Sequence, residues 1–141
     1  MPGAAAEPSS RCGKALADLF SCIGAGDILT AGALLDGKTA DEREALLSAT
    51  NASGITLLQH ASHNGQADGV SMLLEKGADP SWTSTKGSTP LHFSCNAGHY
   101  DCTERLLRAG VNVDAGNANK TTPLIIAAFG AHAKCVRLLL E

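Results

Sequence analysis

The chain of 141 residues has the length of one domain, and a domain of that size buries about two-thirds of its unfolded surface, so it needs no disulfide or metal to hold it. Hydrophobic residues at 44% and charged residues at 18% fit a soluble folded chain and exclude a disordered one, while aromatics at 4% leave the core to Leu, Ala, Val and Ile. A net charge of −3 with no basic block argues against nucleic acid and anionic membranes as partners, and the longest apolar run, Leu124 to Ala131, is far short of the ~20 residues of a membrane span.

From the N-terminus, residues 1–11 carry neither a basic n-region nor an apolar h-region, and they are expected to form a disordered tail. The five cysteines, Cys12, Cys22, Cys95, Cys102 and Cys135, are odd in number and come without an export signal. Reduced thiols and a cytoplasmic or nuclear location follow as the expectation. Leu19, Phe20 and Ile23 form the apolar face of a first helix, and Leu34-Leu35 lie on a second. Gly32-Ala-Leu-Leu-Asp-Gly37-Lys38-Thr39 satisfies the phosphate-loop pattern letter for letter. Its context argues against that chemistry, because no apolar strand precedes it and Leu34-Leu35 require a buried helix face. The segment therefore reads as a helix end, and no nucleotide cofactor is expected. Ala40 to Ala49 then reads as a short helix starting near Thr39 or Asp41, with Asp41, Glu42 and Glu44 on a solvated face.

A period of 33 governs the rest of the chain. Thr56, Thr89 and Thr122 keep it, as do Leu58, Leu91 and Leu124, and Leu73-Leu74, Leu106-Leu107 and Leu139-Leu140. Each unit predicts helix, turn, helix, loop. Thr89 suits a helix N-cap, Pro90 the first helical position, and His92 lies three residues on, within reach of the cap. Gly98 and Gly110 suit the left-handed turns that end the two helices. The third unit has Lys120 and Ala131 where the others have Gly, so Gly130 is expected to supply its left-handed turn one residue early.

Gly87-Ser-Thr-Pro-Leu-His92, Ala97-Gly98-His99, Leu106-Leu107 and Ala109-Gly110-Val111-Asn112 resemble the ankyrin repeat, whose period is also 33. The first full unit departs from the family pattern at Leu57 and Gln59. A diverged unit precedes it, since Gly26-Asp27 and Leu34-Leu35 fall 39 residues before Gly65-Gln66 and Leu73-Leu74. The resemblance implies an all-α solenoid over residues 12–141. Its expected parts are a diverged capping repeat over 12–50 with an insertion near 37–51, repeats over 51–83 and 84–116, and a truncated repeat over 117–141. With no capping repeat or terminal glycine turn after Val136 to Glu141, the chain is expected to continue into further repeats or another domain, or to cover its open end by dimerisation.

His92, Cys95, His99 and Cys102 have a spacing that zinc could use. Each already has a repeat role, and antiparallel helices should keep the four from converging, so no metal is expected. His60 and His63 suggest nucleophilic catalysis only weakly, because no orienting acid stands beside them.

The resemblance implies a non-catalytic module that binds a protein or peptide through a concave face. No small-molecule substrate is expected. The alternative is a regulatory or targeting domain of a larger enzyme whose catalytic part lies beyond Glu141. Carried onto this chain, the family's contact positions are Ser53, Ile55, Trp82, Thr83, Lys86, Ser88, Asn119 and Thr121 on the loops, with His63, Asn64, Asn96 and Phe129 at first-helix ends. Trp82 stands in the column of Ala115, and Phe129 in that of His63 and Asn96. Large aromatic residues there have little core to enter, which favours a role as binding anchors.

Overall fold

The structure, a computed structural model, describes the backbone of residues 2–141 and the side chains from Lys14 onward. Nine helices and no strand occur among the described residues: α1 (Pro2–Ala25), α2 (Ile28–Asp36), α3 (Ala40–Ser48), α4 (Leu57–Asn64), α5 (Ala67–Glu75), α6 (Pro90–Ala97), α7 (Tyr100–Arg108), α8 (Pro123–Phe129) and α9 (Ala133–Leu140). None is long and apolar enough to cross a membrane. The backbone of α1 begins at Pro2, inside the stretch expected to be a disordered tail. Proline is accepted in a first helical turn, and Ala4 to Ala6 are strong helix formers. The side chains of residues 1–13, Cys12 included, lie outside the described residues.

Local chemistry sets the helix starts. In α4 and α6 the hydroxyls of Thr56 and Thr89 accept the N–H groups of Gln59 and His92, and those side chains reach back to the cap N–H, completing a capping box each time. Pro90 and Pro123 occupy the first turns of α6 and α8, where no N–H is required. Thr39 caps α3 in the same way, so that helix starts where the sequence places it.

The helices form two layers. An inner row of α1, α4, α6 and α8 packs side by side, and each member turns back into one of the outer row, α2, α5, α7 and α9. Leu19, Ile23, Leu35, Leu57, Leu58, Leu73, Leu91 and Leu106 fill the space between the rows and are essentially fully buried. Burying a leucine contributes roughly 1.5–3 kcal/mol, so this aliphatic seam stands in for the aromatic core the composition lacks. The inserted helix α3 packs on α1 and α4 and contributes Leu46 and Leu47 to the same core. Arg43 of α3 donates to the carbonyls of Leu35 and Lys38, closing the end of α2.

The last helical pair differs from the sequence expectation in two ways. Gly130 has φ −82 and ψ 1, so it does not supply the left-handed turn, which Ala131 adopts with φ 59. The turn keeps the repeat register, because the N–H of His132 must reach the carbonyl of Ala127 just as that of His99 reaches Ser94. In α9 only Cys135 is fully buried, and Leu140 is largely exposed, so Val136 to Glu141 form a half-covered stripe.

Candidate partner-binding strip

The loops before α4, α6 and α8 share one hairpin turn. The N–H of Asn51, Ser84 and Asn117 donates to the carbonyl of Ile55, Ser88 and Thr121 at 2.9, 2.9 and 3.0 Å. Side-chain oxygens of Asn51 and Asn117 accept two further backbone N–H groups each, which pins the turn from within. The fourth turn residue, Gly54, Gly87 or Lys120, is left-handed, with φ 77, 76 and 62. This geometry carries Ser53, Lys86 and Asn119 to the tips of successive loops, where all three are exposed. Ile55, Ser88 and Thr121 stand at the turn exits and are half-buried.

Successive units are sewn together by the residue three after each cap threonine. Gln59 Nε2 donates to the carbonyls of Trp82 and Ser88, at 2.9 and 3.1 Å. His92 lies with Nε2 2.8 Å from the carbonyl of Thr121, and its Nδ1 accepts the N–H of Thr89 at 3.0 Å. These partners fix the neutral tautomer with the proton on Nε2, and burial pushes the His92 pKa down. A second stitch joins the helix ends: His99 and His132 place Nε2 3.0 and 3.2 Å from the carbonyls of His63 and Asn96.

The sequence-derived positions separate into two sets. His63, Asn64, Asn96 and Phe129 end the inner helices and are exposed. Their spacing follows that of α4, α6 and α8, so they recur along the array at the ends of the inner helices away from the loops. Phe129 is 94% exposed. His63 meets Phe93 edge-on with ring centroids 6.2 Å apart, and Asn64 donates to His60 Nε2 at 3.1 Å. Burial pushes the His60 pKa down, and the ring packs edge-on against Phe20. Trp82, on the loop before α6, is 39% exposed. With Glu44, Leu47 and Ser48 of α3 and the turn Gly77 to Asp79 it lines a shallow cavity of about 180 Å³. Thr83 beside it is exposed. One residue escaped the sequence reading: Ile125, 53% exposed, lies one turn before Phe129. Its signature was an apolar residue in the column otherwise held by Gln59 and His92.

The outer layer uses its charges internally. Lys76 pairs with Asp36, Arg105 with Asp68 at 3.3 Å, and Arg108 with Glu104 at 3.5 Å. The hydrogen bond from Lys76 holds the Asp36 carboxyl below its ordinary range. Arg105 also donates to Ser71 of the neighbouring outer helix at 2.6 Å.

The chemistry-like motifs resolve into structural roles. Gly32 to Asp36 lie inside α2, Leu35 is buried, and Thr39 caps α3, so Gly32 to Thr39 spans a helix end and the next helix start. Cys95 faces Thr103, and His92 and His99 are engaged with backbone groups. Burial pushes the Cys95 and Cys102 thiols up to about 11 and raises that of Cys135, so they are protonated, weakly nucleophilic packing groups at neutral pH. No cluster of three or more His, Cys, Asp or Glu side chains suited to a metal gathers among the described residues.

The family model described as ankyrin repeats (3 copies) matches residues 58–141, more than half of the chain. The chain belongs to the ankyrin-repeat family. The matched span holds three ankyrin units, α4–α5, α6–α7 and α8–α9, and the diverged pair α1–α2 with α3 precedes it. Ankyrin repeats are generally protein–protein interaction modules and typically non-catalytic. A search of curated proteins finds no match.

Proposed function

We propose that this ankyrin array binds a protein or peptide partner along its concave face, on the strip that runs from its loop tips to its inner-helix ends, without catalysis. The observation that carries this reading is Phe129, an aromatic ring almost wholly in water at an inner-helix end, in the column where His63 and Asn96 stand in the preceding units. An aromatic residue so placed adds little to folding, and such residues are enriched among binding hot spots. Ile125 extends the apolar surface by one turn. Lys86, Asn96 and Asn119 supply a polar rim, as interfaces use around an apolar centre. Trp82 contributes through the rim of its cavity with α3. The paired charges of α2, α5 and α7 form the solvated back. The buried, protonated thiols suit a reducing compartment such as cytoplasm or nucleus.

The test is affinity capture with the 141-residue chain, followed by mass spectrometry and titration of the captured protein. Phe129→Ala and Trp82→Ala are expected to weaken binding at least tenfold, and Glu75→Ala and Arg108→Ala less than threefold, with all four variants folded. The reverse ranking would place the partner on the outer helices instead.

A further inference from the structure

Three features recur at both joints between the full units, where residues 51–83 receive 84–116 and where these receive 117–141, and each is replaced in residues 117–141. The first is the bare Cα at the left-handed turn of the loop. A Cβ on Gly54 would lie 3.0 Å from Thr85 Cγ2, and one on Gly87 would lie 2.9 Å from the backbone nitrogen of Ala118, which donates to the carbonyl of Lys86. Thr85 and Ala118 occupy the same column of the following unit, and the third unit has Lys120 in place of the glycine. The second feature is the polar side chain that reaches forward. Gln59 and His92 both hydrogen-bond the next loop, whereas the third unit has Ile125, which carries no donor. The third feature is the bare Cα at the end of the inner helix. A Cβ on Gly65 would lie 2.7 Å from the His99 ring, and one on Gly98 would lie 2.6 Å from His132 Cε1. The third unit has Ala131 there, left-handed like its glycine counterparts but bearing the methyl group.

We infer that the forward face of residues 117–141, the one that carries Lys120, Ile125 and Ala131, is shaped against receiving another unit of the same kind in the same register. Two of its three docking points carry a Cβ where, at the joints between the full units, one would stand within about 3 Å of the next unit, and the remaining point lacks the hydrogen-bond donor. The three changes lie on a loop, within a helix and at a helix end, so no single backbone distortion accounts for them together. The face therefore discriminates: a unit bearing an imidazole in the His99 and His132 column meets the Ala131 methyl, and its loop carbonyls find Ile125 instead of an amide or imidazole N–H. Burying such carbonyls without a donor is costly, so that docking is disfavoured even where the apolar surfaces match. This inference concerns how the stack is joined and is independent of where a partner protein binds.

The test extends the whole chain after Glu141 with a copy of residues 109–116 and then of 84–116, placing one more unit in register. A second version carries Lys120→Gly, Ile125→His and Ala131→Gly in the same extended chain, and the substituted and unsubstituted chains are both also made without the extension to remove the intrinsic effects of the substitutions. Denaturant unfolding reports docking, because the m-value scales with the surface exposed on unfolding. In the substituted chain the extension should raise m about 1.25-fold, as expected for a fifth unit joining four, and should raise the midpoint. In the unsubstituted chain the extension should leave both unchanged. Equal increases in the two chains would overturn the inference, and so would the absence of an increase in both, since the three columns would then not define the joint.

Discussion

Residues 84–116 and 117–141 have nearly the same sequence pattern but different surroundings within this chain. α6 packs between α4 and α8, and its Leu91, His92, Ser94 and Cys95 are all buried. α8 packs on α6, and only Pro123 and Ala127 of its residues are buried, while Ile125 and Phe129 are open. The same helix type thus gives a load of buried contacts in one unit and free apolar surface in the other. The comparison teaches that in a stacked array stability comes from the joints between units.

The largest expected contrast is at the central leucine of the inner helices. Leu91→Ala should cost about 3 kcal/mol and Leu124→Ala about 1 kcal/mol, because the first leaves a cavity inside the seam and the second trims a half-covered side chain. Denaturant midpoints at equal m-value would measure both, and equal losses would erase the distinction between the units.

The turn residues sharpen the comparison with opposite signs. Gly98→Ala should destabilise by about 2 kcal/mol, since the methyl group adds left-handed strain and displaces His132 from the carbonyl of Asn96. Ala131→Gly relieves the same strain where no following imidazole is displaced, and it should stabilise by about 1 kcal/mol. A loss on Ala131→Gly would mean that the methyl group packs favourably at that turn.

A smaller effect separates the units by pH. Burial lowers the folded-state pKa of His92, so the folded state prefers the neutral ring that accepts from Thr89 and donates to Thr121. The unfolded chain titrates near 6.5. The stability His92 contributes is therefore complete above that pH and declines as the pH falls below it toward the folded-state value. His92→Gln copies Gln59, which makes the same forward bonds without titrating. The variant should keep its neutral-pH stability and lose part of the acid sensitivity, leaving the share due to His60, whose pKa burial also lowers. An unchanged acid slope would show that the joint does not depend on the His92 proton.

The smallest effects belong to the outer layer. Arg108→Ala and Glu75→Ala should each change stability by less than about 0.5 kcal/mol, because exposed pairs and lone surface charges contribute little.

Much of this architecture is legible in the sequence because repeated chemistry leaves a fixed period. Thr89, Pro90 and His92 announce a helix start by their hydrogen-bonding needs alone, and the stepped leucines mark the buried seam. The turn at Ala131 was not legible: propensity favours the adjacent Gly130, but the helix-end hydrogen bond to Ala127 keeps the register and forces the alanine left-handed. The position of Trp82 against α3 was hidden because the insertion breaks the period, so no column relates Glu44 or Leu47 to the loop they face. The exposure of Phe129 was foreseeable, since its column holds His63 and Asn96. Ile125 escaped notice because its column carries side chains whose role, donating to the next unit, appears only in three dimensions.

Amide hydrogen exchange followed along the chain tests most directly whether the joints hold the array together. The slowest amides should lie in α6, which is stitched on both sides, with α4 next. Those of α8 and α9 should exchange at least tenfold faster, through openings that leave the rest of the stack intact. Protection in α8 equal to that in α6 would contradict the assignment of stability to the joints.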